Sequence, residues 1–263
     1  MPCFLITGGA GFIGSNIVKE CLEQGFEVRI LDNLSHGKRS NLLDVENHKH
    51  FDFIEGDIRD IDICKKACDG VDYVLHQAAL GSVPRSLKEP FLYHDVNIGG
   101  TLNMLEASRL KGVKRFIFAS SSSVYGDSKT LPKTESMTPN PLSPYAISKI
   151  TGEYYCNMYY KLHNLSTLAL RYFNVFGPLQ DPHSPYAAVI PLFMDACRQK
   201  NPCAIFGDGE QTRDFTYIKR VVAANLASCT KDHSLWGTAI NVGQGDRISV
   251  KQLAELISKQ FGP

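Results

Sequence analysis

The sequence predicts an α/β fold, a doubly wound parallel sheet with helices on both of its faces. Short apolar runs alternate with helical patterns through the first two-thirds of the chain, and a glycine-rich turn joins the first run to the first helix. The length of 263 residues suits one large domain with a smaller appendage. Alternation of this kind implies right-handed crossovers between parallel strands.

Each predicted strand is a short apolar run that is bounded by turn residues or by the start of a helix. Six such runs lie at Cys3–Thr7, Glu27–Leu31, Phe51–Glu55, Val71–His76, Val113–Ala119 and Ser166–Arg171. Apolar residues at helical spacing, such as Ile13, Ile17 and Cys21, predict the intervening helices. These are expected over Phe12–Gln24, Ile61–Cys68 and Phe91–Leu110, and from Pro144 onward.

After Asn174 the chain changes character, because five prolines between 178 and 202 divide it into short pieces. A helix is predicted near Ile190–Lys200, a strand near Ala204–Phe206, and a glycine loop beyond it. We therefore divide the chain into a nucleotide-binding domain at 1–173 and a substrate region at 174–263. The run at about 238–243 can return to the main sheet as a last strand.

Composition excludes several classes of function. The 28 Lys and Arg residues balance the 27 Asp and Glu residues, which gives no electrostatic basis for binding nucleic acid or an anionic membrane. No apolar run approaches 18 residues and no signal peptide is visible, so a cytoplasmic protein is expected. Eight scattered cysteines without a CxxC predict no metal site. The best-spaced pair, Cys64 and Cys68, is assigned a structural role ahead of a metal or redox role.

The glycine-rich turn Thr7-Gly8-Gly9-Ala10-Gly11-Phe12-Ile13-Gly14 predicts a dinucleotide site. Glycines permit a tight turn and a close approach of backbone to a pyrophosphate, and the free N–H groups of the following helix favour its charge. Asp32 ends the second strand, where a carboxylate accepts ribose hydroxyls and disfavours a 2′-phosphate. NAD is therefore predicted over NADP, although Lys38 and Arg39 are a mild opposing signal. Asp57 suits either the adenine edge or the cap of the next helix.

Tyr145 and Lys149 are the candidate catalytic pair. Ser143 suits an N-cap and Pro144 the first helical position, so the two side chains lie one turn apart on one face. A nearby ammonium and a cationic nicotinamide would lower the phenol pKa from its ordinary value of about 10, which produces a proton acceptor for an alcohol. Four serines, 120–123, follow the fifth strand, where ligands of such sheets bind.

Taken together, these residues resemble the extended short-chain dehydrogenase/reductase superfamily, whose sheet is Rossmann-like. Within it, the chain resembles nucleotide-sugar 4-epimerases, and most closely the bacterial group that acts on UDP-N-acetylglucosamine and its uronic-acid forms. The motifs that carry the resemblance cover essentially the whole chain. They are the glycine loop, His76-Gln77-Ala78-Ala79, Gln77 through Ser86, Ala119 through Gly126, Tyr145 through Lys149, Arg171-Tyr172-Phe173-Asn174, Tyr186 through Pro191, Gly207-Asp208-Gly209 and Arg213-Asp214-Phe215.

The resemblance implies a role for each matching residue. Tyr145 is implied as the base, Lys149 as the ribose anchor that tunes it, and Ser121 as the catalytic serine. NAD is implied to contact Gly8, Gly11, Phe12, Ile13, Gly14, Asp32, Asn33, Asp57, Ile58, Gln77, Ala78, Ala79, Asn97, Tyr145, Lys149 and Tyr172. The UDP-sugar is implied to contact Gly81, Ser82, Ser122, Ser123, Asn174, Ala188, Val189 and Arg213, the last as a diphosphate clamp.

The implied reaction is a transient oxidation at C4 of the sugar, which passes through a 4-keto form. The alternatives are UDP-glucose 4-epimerisation, UDP-sugar dehydration or decarboxylation, and a non-catalytic NAD sensor. Epimerisation is favoured because this chain has serines and a valine at the positions where dehydratases and decarboxylases carry acidic residues. Members of this group continue beyond the last residues of this chain, so a shortened substrate region is expected. By analogy of fold, a homodimer is expected through the helices near residues 91–110 and 144–162.

Overall fold

A computed structural model of the chain describes residues 1–182 and 188–261. Within these residues, seven parallel strands form the main sheet, and strands between residues 175 and 249 form two separate two-stranded ribbons. The strands of the main sheet are β1 (Cys3–Thr7), β2 (Glu27–Asp32), β3 (Phe51–Glu55), β4 (Tyr73–His76), β5 (Arg115–Ser121), β6 (Ser166–Tyr172) and β10 (Thr238–Val242). The ribbon strands are β7 (Val175–Phe176), β8 (Thr212–Arg213), β9 (Thr216–Tyr217) and β11 (Ile248–Ser249).

The helices alternate with these strands. They are α1 (Phe12–Glu23), α2 (Ile61–Ala67), α3 (Val83–Lys88), α4 (Pro90–Tyr93), α5 (Gly100–Leu110), α6 (Pro144–His163), α7 (Val189–Arg198), α8 (Ile218–Thr230) and α9 (Val250–Phe261). A π-helical segment, His94–Gly99, joins α4 to α5, and 3-10 turns occupy Arg39–Leu42 and Ser122–Tyr125. The long helix predicted over Phe91–Leu110 is therefore interrupted by a π-helical segment.

The strand order β10-β6-β5-β4-β1-β2-β3 reverses direction between β1 and β4. Such a reversal opens a crevice at the carboxyl ends of the strands, where nucleotides bind in this class of fold. The predicted Rossmann-like class is confirmed. The strand Thr238–Val242 lies at the sheet edge, where it pairs in parallel with β6.

Alternation along the strands divides the core between the two faces of the sheet. Ile6 and Ile30 face α1 and α8, whereas Leu5, Leu31 and Phe118 face α2, α5 and α6. Burying one such side chain stabilises the fold by about 1.5–3 kcal/mol. A third, smaller cluster joins α7 to α9 through Ile190, Phe193 and Leu253, among others.

Two predicted elements differ from the structure. Ala204–Phe206 forms no strand, because no neighbouring backbone pairs with it and its side chains are exposed. The fifth strand extends two residues past Ala119, since its pairing with β6 continues to Ser121 opposite Tyr172. Ser120 and Ser121 therefore lie within the strand rather than after it, and their side chains point to opposite faces.

Candidate active site

The glycine loop packs directly against the first turn of α1. Gly8 adopts φ +67°, and a Cβ placed on Gly14 would lie 2.2 Å from the Gly8 carbonyl oxygen. Gly11 is the N-cap and provides no side-chain hydrogen bond, so the amides of the first turn have no side-chain cap. A 12-residue helix that ends this way offers N–H groups and its positive dipole end to a pyrophosphate. Phe12 and Ile13, in that first turn, pack against the core.

Asp32 lies at the carboxyl end of β2, beside this loop. Its carboxylate accepts hydrogen bonds from the amides of Ala10 (2.9 Å) and Leu34 (2.8 Å). Burial raises the pKa of Asp32, and the two amides oppose that shift. The side chain is therefore held in a fixed orientation at the position where the sequence predicts the adenosine ribose.

Lys38 and Arg39, the mild signal for a 2′-phosphate, both have other partners. Lys38 forms an ion pair with Asp181 at 2.6 Å, and the guanidinium of Arg39 lies 4.2 Å from the centre of the Phe53 ring. These contacts agree with structural roles for the Lys38 and Arg39 side chains.

Asp57 lies past β3 and does not cap the helix that follows. The α2 cap is Asp60, whose carboxylate accepts from the amides of Asp62 and Ile63, so the capping alternative for Asp57 is wrong. Asp57 instead pairs with Arg59 and accepts a hydrogen bond from Asn33 at 2.8 Å. The Arg59 hydrogen bonds lower the pKa of Asp57 to about 2. Ile58 beside it is buried against Gly100.

A network of buried hydrogen bonds fixes the segment that follows β4. His76 contacts the hydroxyls of Thr7 (2.7 Å) and Thr101 (3.0 Å), and Thr7 accepts from the amide of Ala78 (3.1 Å). Burial lowers the pKa of His76 to about 3, so the ring is neutral at physiological pH. The carbonyl of Asn97 accepts a hydrogen bond from Thr101, and this bond extends the hydrogen-bond network into the π-helical segment.

Asn97, a predicted NAD contact, binds the protein itself. Its amide side chain exchanges hydrogen bonds with the backbone of Leu80 (2.8 and 3.1 Å) and donates to Ser148 on α6 at 3.0 Å. It is almost fully buried. The structure therefore places Asn97 where it holds the segment 78–80 beyond the carboxyl end of β4. Ala79 lies in this segment.

Gln77 and Tyr172, two more predicted NAD contacts, meet across the sheet. The Tyr172 hydroxyl donates to the Gln77 side chain at 3.1 Å, and Asn225 of α8 bonds to both (2.8 and 3.1 Å). Sequence reasoning missed Asn225. Its signal is an asparagine within the apolar face of α8, where a polar side chain needs buried partners.

The predicted catalytic residues lie together at the carboxyl end of β5. Ser143 caps α6 by accepting from the amide of Ala146 at 3.1 Å, which starts the helix as predicted. The buried Lys149 ammonium donates to the Ala119 carbonyl at 2.7 Å and lies 5.8 Å from the Tyr145 ring centre. Burial lowers the pKa of Lys149 to about 8.

The pKa of Tyr145 moves in the direction opposite to the one expected. Burial raises it, and the hydrogen bond with the Ser121 side chain opposes that effect. The Lys149 ammonium points at the Ala119 carbonyl. The lowering of the Tyr145 pKa that was predicted from Lys149 is therefore not seen in the protein without NAD. The contact between Tyr145 and Ser121 nonetheless joins the two residues that the sequence pairs as base and catalytic serine.

The remaining serines divide by position. Ser120 donates to Glu153 on the covered side of β5, so it belongs to the core. Ser122 and Ser123 begin the 3-10 turn, where the Ser123 amide donates to the Ser121 hydroxyl at 3.2 Å. Among the described residues, the Ser123 hydroxyl is the buried side-chain oxygen that has no hydrogen-bond partner. A buried group of this kind suits a ligand contact.

A cavity of about 310 Å³ lies between β7 and the start of α7. It brings together four predicted sugar-nucleotide residues from distant parts of the chain, namely Asn174, Ala188, Val189 and Arg213. Sequence reasoning missed other wall residues, among them Phe206, Gln211 and Val250. The volume is at the lower end of the range for small-molecule sites. Tyr186, part of a motif that carried the resemblance, lies outside the described residues.

Gly81 and Ser82, also predicted to contact the sugar, do not line this cavity in the described structure. The Ser82 hydroxyl caps α3 by accepting from the Arg85 amide at 3.1 Å, and the Ser82 backbone pairs with the Tyr93 hydroxyl. Gly81 precedes this cap and faces open space. The two residues border the catalytic cluster, since Tyr93 packs edge-on against Tyr145.

Comparison with known proteins gives a family match over residues 4–243, to the NAD dependent epimerase/dehydratase family. The chain belongs to this family. A relative from Methanocaldococcus jannaschii, named a putative UDP-glucose 4-epimerase, is 40% identical over 98% of this chain and 82% of its own length. The predicted family resemblance and the prediction of NAD as the cofactor are confirmed.

Solved structures of family members superpose closely on the chain. A UDP-N-acetylglucosamine 4-epimerase from Methanobrevibacter ruminantium has a TM-score of 0.93 and 43% identity, and the match covers 98% of this chain and 81% of that one. A UDP-glucose 4-epimerase from Thermotoga maritima has a TM-score of 0.92 and 38% identity, with 99% and 82% covered. The predicted class of enzyme, an NAD-using nucleotide-sugar 4-epimerase, agrees with these family members.

The glycine loop fits the cofactor of the family. A Cβ on Gly8 would lie 2.9 Å from the backbone of Ala78 and one on Gly14 2.2 Å from the Gly8 carbonyl oxygen, so neither position has room for a side chain, and the turn is as tight as a pyrophosphate site requires. No helix in the described part of the chain combines the length and the apolar composition that crossing a bilayer requires.

Proposed function

We propose that this family member interconverts the C4 epimers of a UDP-hexose, with UDP-N-acetylglucosamine and UDP-N-acetylgalactosamine, or their uronic-acid forms, as its preferred pair. The observation that carries the proposal is the cluster of Ser121, Tyr145 and Lys149 at the carboxyl end of β5. It supplies a phenol as proton acceptor, a hydroxyl hydrogen-bonded to that phenol and a buried cation. The similarity to the UDP-N-acetylglucosamine 4-epimerase supports this choice of sugar.

In this proposal, residues 1–173 bind NAD and residues 174–263 form the sugar-nucleotide region. Gly8, Gly11 and Gly14 would hold the pyrophosphate and Asp32 the adenosine ribose. When bound, NAD supplies the acceptor and then the donor of a hydride at C4, so that the sugar passes through a 4-keto form.

Tyr145 takes the proton of the C4 hydroxyl and later returns it. Ser121, already hydrogen-bonded to the phenol, positions that hydroxyl. Lys149 places a positive charge within 5.8 Å of the Tyr145 ring centre, and bound NAD would add a second positive charge; both would favour the phenolate and oppose the effect of burial on the Tyr145 pKa. Ser122 and the unpartnered hydroxyl of Ser123 are assigned to the sugar.

The cavity between β7 and α7 would take the nucleotide end of the substrate. Arg213 at its wall carries a guanidinium that suits two phosphate groups, while Asn174 supplies an amide. Holding the molecule mainly by its nucleotide leaves the sugar able to present either face to the site.

The residues at the carboxyl end of β5 also favour epimerisation over dehydration and decarboxylation. The family resemblance implies that enzymes that catalyse elimination or decarboxylation use acidic residues in the segment that follows Ser121. This chain has two serines and a valine there. The alternative that remains closest is UDP-glucose 4-epimerisation, which needs the same groups.

Proton NMR of the sugar ring tests the proposal directly. The purified chain with NAD and UDP-N-acetylglucosamine is expected to produce the galacto epimer, visible as a change in the coupling of the C4 proton. Parallel reactions with UDP-glucose and UDP-glucuronate rank the substrates. Turnover of UDP-glucose alone would support the alternative, and a released keto-sugar or a pentose product would contradict epimerisation.

We also propose that the enzyme acts as a cytoplasmic homodimer. Helices α3 to α6 pack together and leave Leu87, Phe91, Ile147 and Tyr154 exposed, with Phe91 84% accessible. Apolar side chains gathered on adjacent helices favour association with a second copy. The eight cysteines are free thiols, which suits a reducing compartment.

Sedimentation velocity tests the dimer. The wild-type chain is expected to sediment as a dimer and Phe91→Glu as a monomer, because a charge at the centre of such an interface would be buried without a partner. Leu43→Glu is the control, since Leu43 is exposed outside these helices. A monomeric wild-type chain would contradict the proposal.

A further inference from the structure

Two cysteines at the end of α7 lie within reach of each other. Cys197 is in the last turn of α7, and Cys203 follows the turn after that helix. Their sulfur atoms are 3.7 Å apart, and both side chains are partly exposed. The amide of Lys200 donates to the Cys197 carbonyl and that of Asn201 to the Ala196 carbonyl, so the turn holds the pair together.

The surroundings keep both thiols in place without enclosing them. Cys203 packs beside Phe193, to whose carbonyl its sulfur lies at 3.9 Å. The Cys197 sulfur lies 3.7 Å from the hydroxyl of Ser258 on α9. A disulfide bond is about 2.05 Å long. Rotation of the two side chains therefore needs to shorten the separation by less than 2 Å.

The pair differs from the other closely spaced pair of the chain. Cys64 and Cys68 are four residues apart in and just after α2, but both are fully buried. Burial raises the pKa of Cys64 to about 12 and that of Cys68 to about 11, and it encloses both thiols. Burial and the contact with Cys197 also raise the pKa of Cys203, but Cys203 and Cys197 are partly exposed to solvent. The sequence singled out Cys64 and Cys68 as the best-spaced pair, whereas the structure brings Cys197 and Cys203 together at the surface.

We propose that Cys197 and Cys203 are a dithiol that low-molecular-weight disulfides oxidise reversibly to an intramolecular disulfide. One thiolate attacks the small disulfide, forming a mixed disulfide and releasing one small thiolate. The second protein thiolate attacks the protein sulfur of that bond and releases the other small thiolate. Two protein thiols are oxidised and one small disulfide is reduced to two thiols.

The bond would act on one wall of the cavity. Ala204 follows Cys203 directly, and both Ala204 and Phe206 line the cavity opposite the start of α7 at Val189. The segment Ala204–Phe206 has no strand pairing of its own. Tying Cys203 to α7 therefore restrains a wall that backbone hydrogen bonds leave loose. This inference does not depend on the proposed function, because its readout is the state of the thiols.

Thiol trapping in glutathione buffers tests the proposal. The folded chain is equilibrated with rising ratios of glutathione disulfide to glutathione, quenched with acid and alkylated, and its peptides are mapped by mass spectrometry. We expect a Cys197–Cys203 disulfide that glutathione reverses. It should form faster than any Cys64–Cys68 disulfide, because Cys64 and Cys68 are fully buried and closed to the small disulfide. Hydrogen exchange of residues 204–206 should slow on oxidation.

Variants separate the pair from general oxidation. Cys197→Ser should abolish the disulfide and leave Cys203 as a thiol or a glutathione adduct, and Cys64→Ser should leave the disulfide unchanged. Circular dichroism checks that each variant folds. Glutathione adducts on both cysteines without a bond between them, or an intermolecular disulfide, would overturn the proposal. Unchanged hydrogen exchange would overturn the link to the cavity.

Discussion

Tyr145→Phe is expected to lower kcat by about 10²- to 10⁴-fold, the range that general acid–base catalysis contributes. The substitution removes only the hydroxyl that exchanges the proton of the sugar. It leaves the glycine loop, Asp32 and the packing of the ring against Tyr93 unchanged. NAD affinity should therefore stay within a few-fold of the wild-type value. The NMR assay gives the rate, and fluorescence titration gives the affinity.

Tyr160→Phe is the matched control for this prediction. Tyr160 lies on the same helix, α6, but is 36% exposed and has its ring against Gly237, away from the catalytic residues, so loss of its hydroxyl should leave kcat unchanged. Wild-type activity in Tyr145→Phe would contradict the role of the phenol as the base. Loss of NAD binding in the same variant would instead assign Tyr145 a structural role in the cofactor site.

The glycine loop and the Tyr-Lys pair could be predicted from sequence because local rules set their positions. A tight turn between a strand and a helix requires glycine, and Ser143 with Pro144 fixes where α6 begins. The register of the helix then places Tyr145 and Lys149 on one face. In each case the residues that decide the outcome are within eight positions of one another.

Partners that are distant in the sequence could not be predicted in this way. Asn97 matches a cofactor position, yet its amide is occupied by Leu80 and Ser148. Ser82 matches a sugar position but caps α3. The direction of the Tyr145 pKa depends on how completely the fold buries the phenol, and no spacing rule reports burial. The prediction of a strand at Ala204–Phe206 was wrong because a strand needs a neighbouring strand to pair with, and an apolar pattern does not show whether one is present.

Arg171→Met is expected to lower the free energy of unfolding by about 3–5 kcal/mol, the cost of leaving one buried charge without its partner. Arg171 on β6 and Glu153 on α6 form two hydrogen bonds of 2.9 and 2.7 Å, with both side chains only 6% exposed. The guanidinium also donates to the Tyr125 hydroxyl at 2.8 Å. Burial opposes its charge, but the hydrogen bonds to Glu153 raise the pKa of Arg171. Urea unfolding measures the change.

The double variant Arg171→Met with Glu153→Gln separates a lost contact from an unpaired charge. Glutamine is neutral and can still accept a hydrogen bond from the Ser120 hydroxyl. Because it leaves no unpaired buried charge, the double variant should be more stable than Arg171→Met alone. Arg109→Met is the exposed control, because its i,i+3 pair with Glu106 is open to solvent and should contribute less. A single variant no less stable than this control would contradict the argument. Because Glu153 shares α6 with Tyr145 and Lys149, the same pair fixes the helix that carries them against β6, and its loss should lower kcat as well.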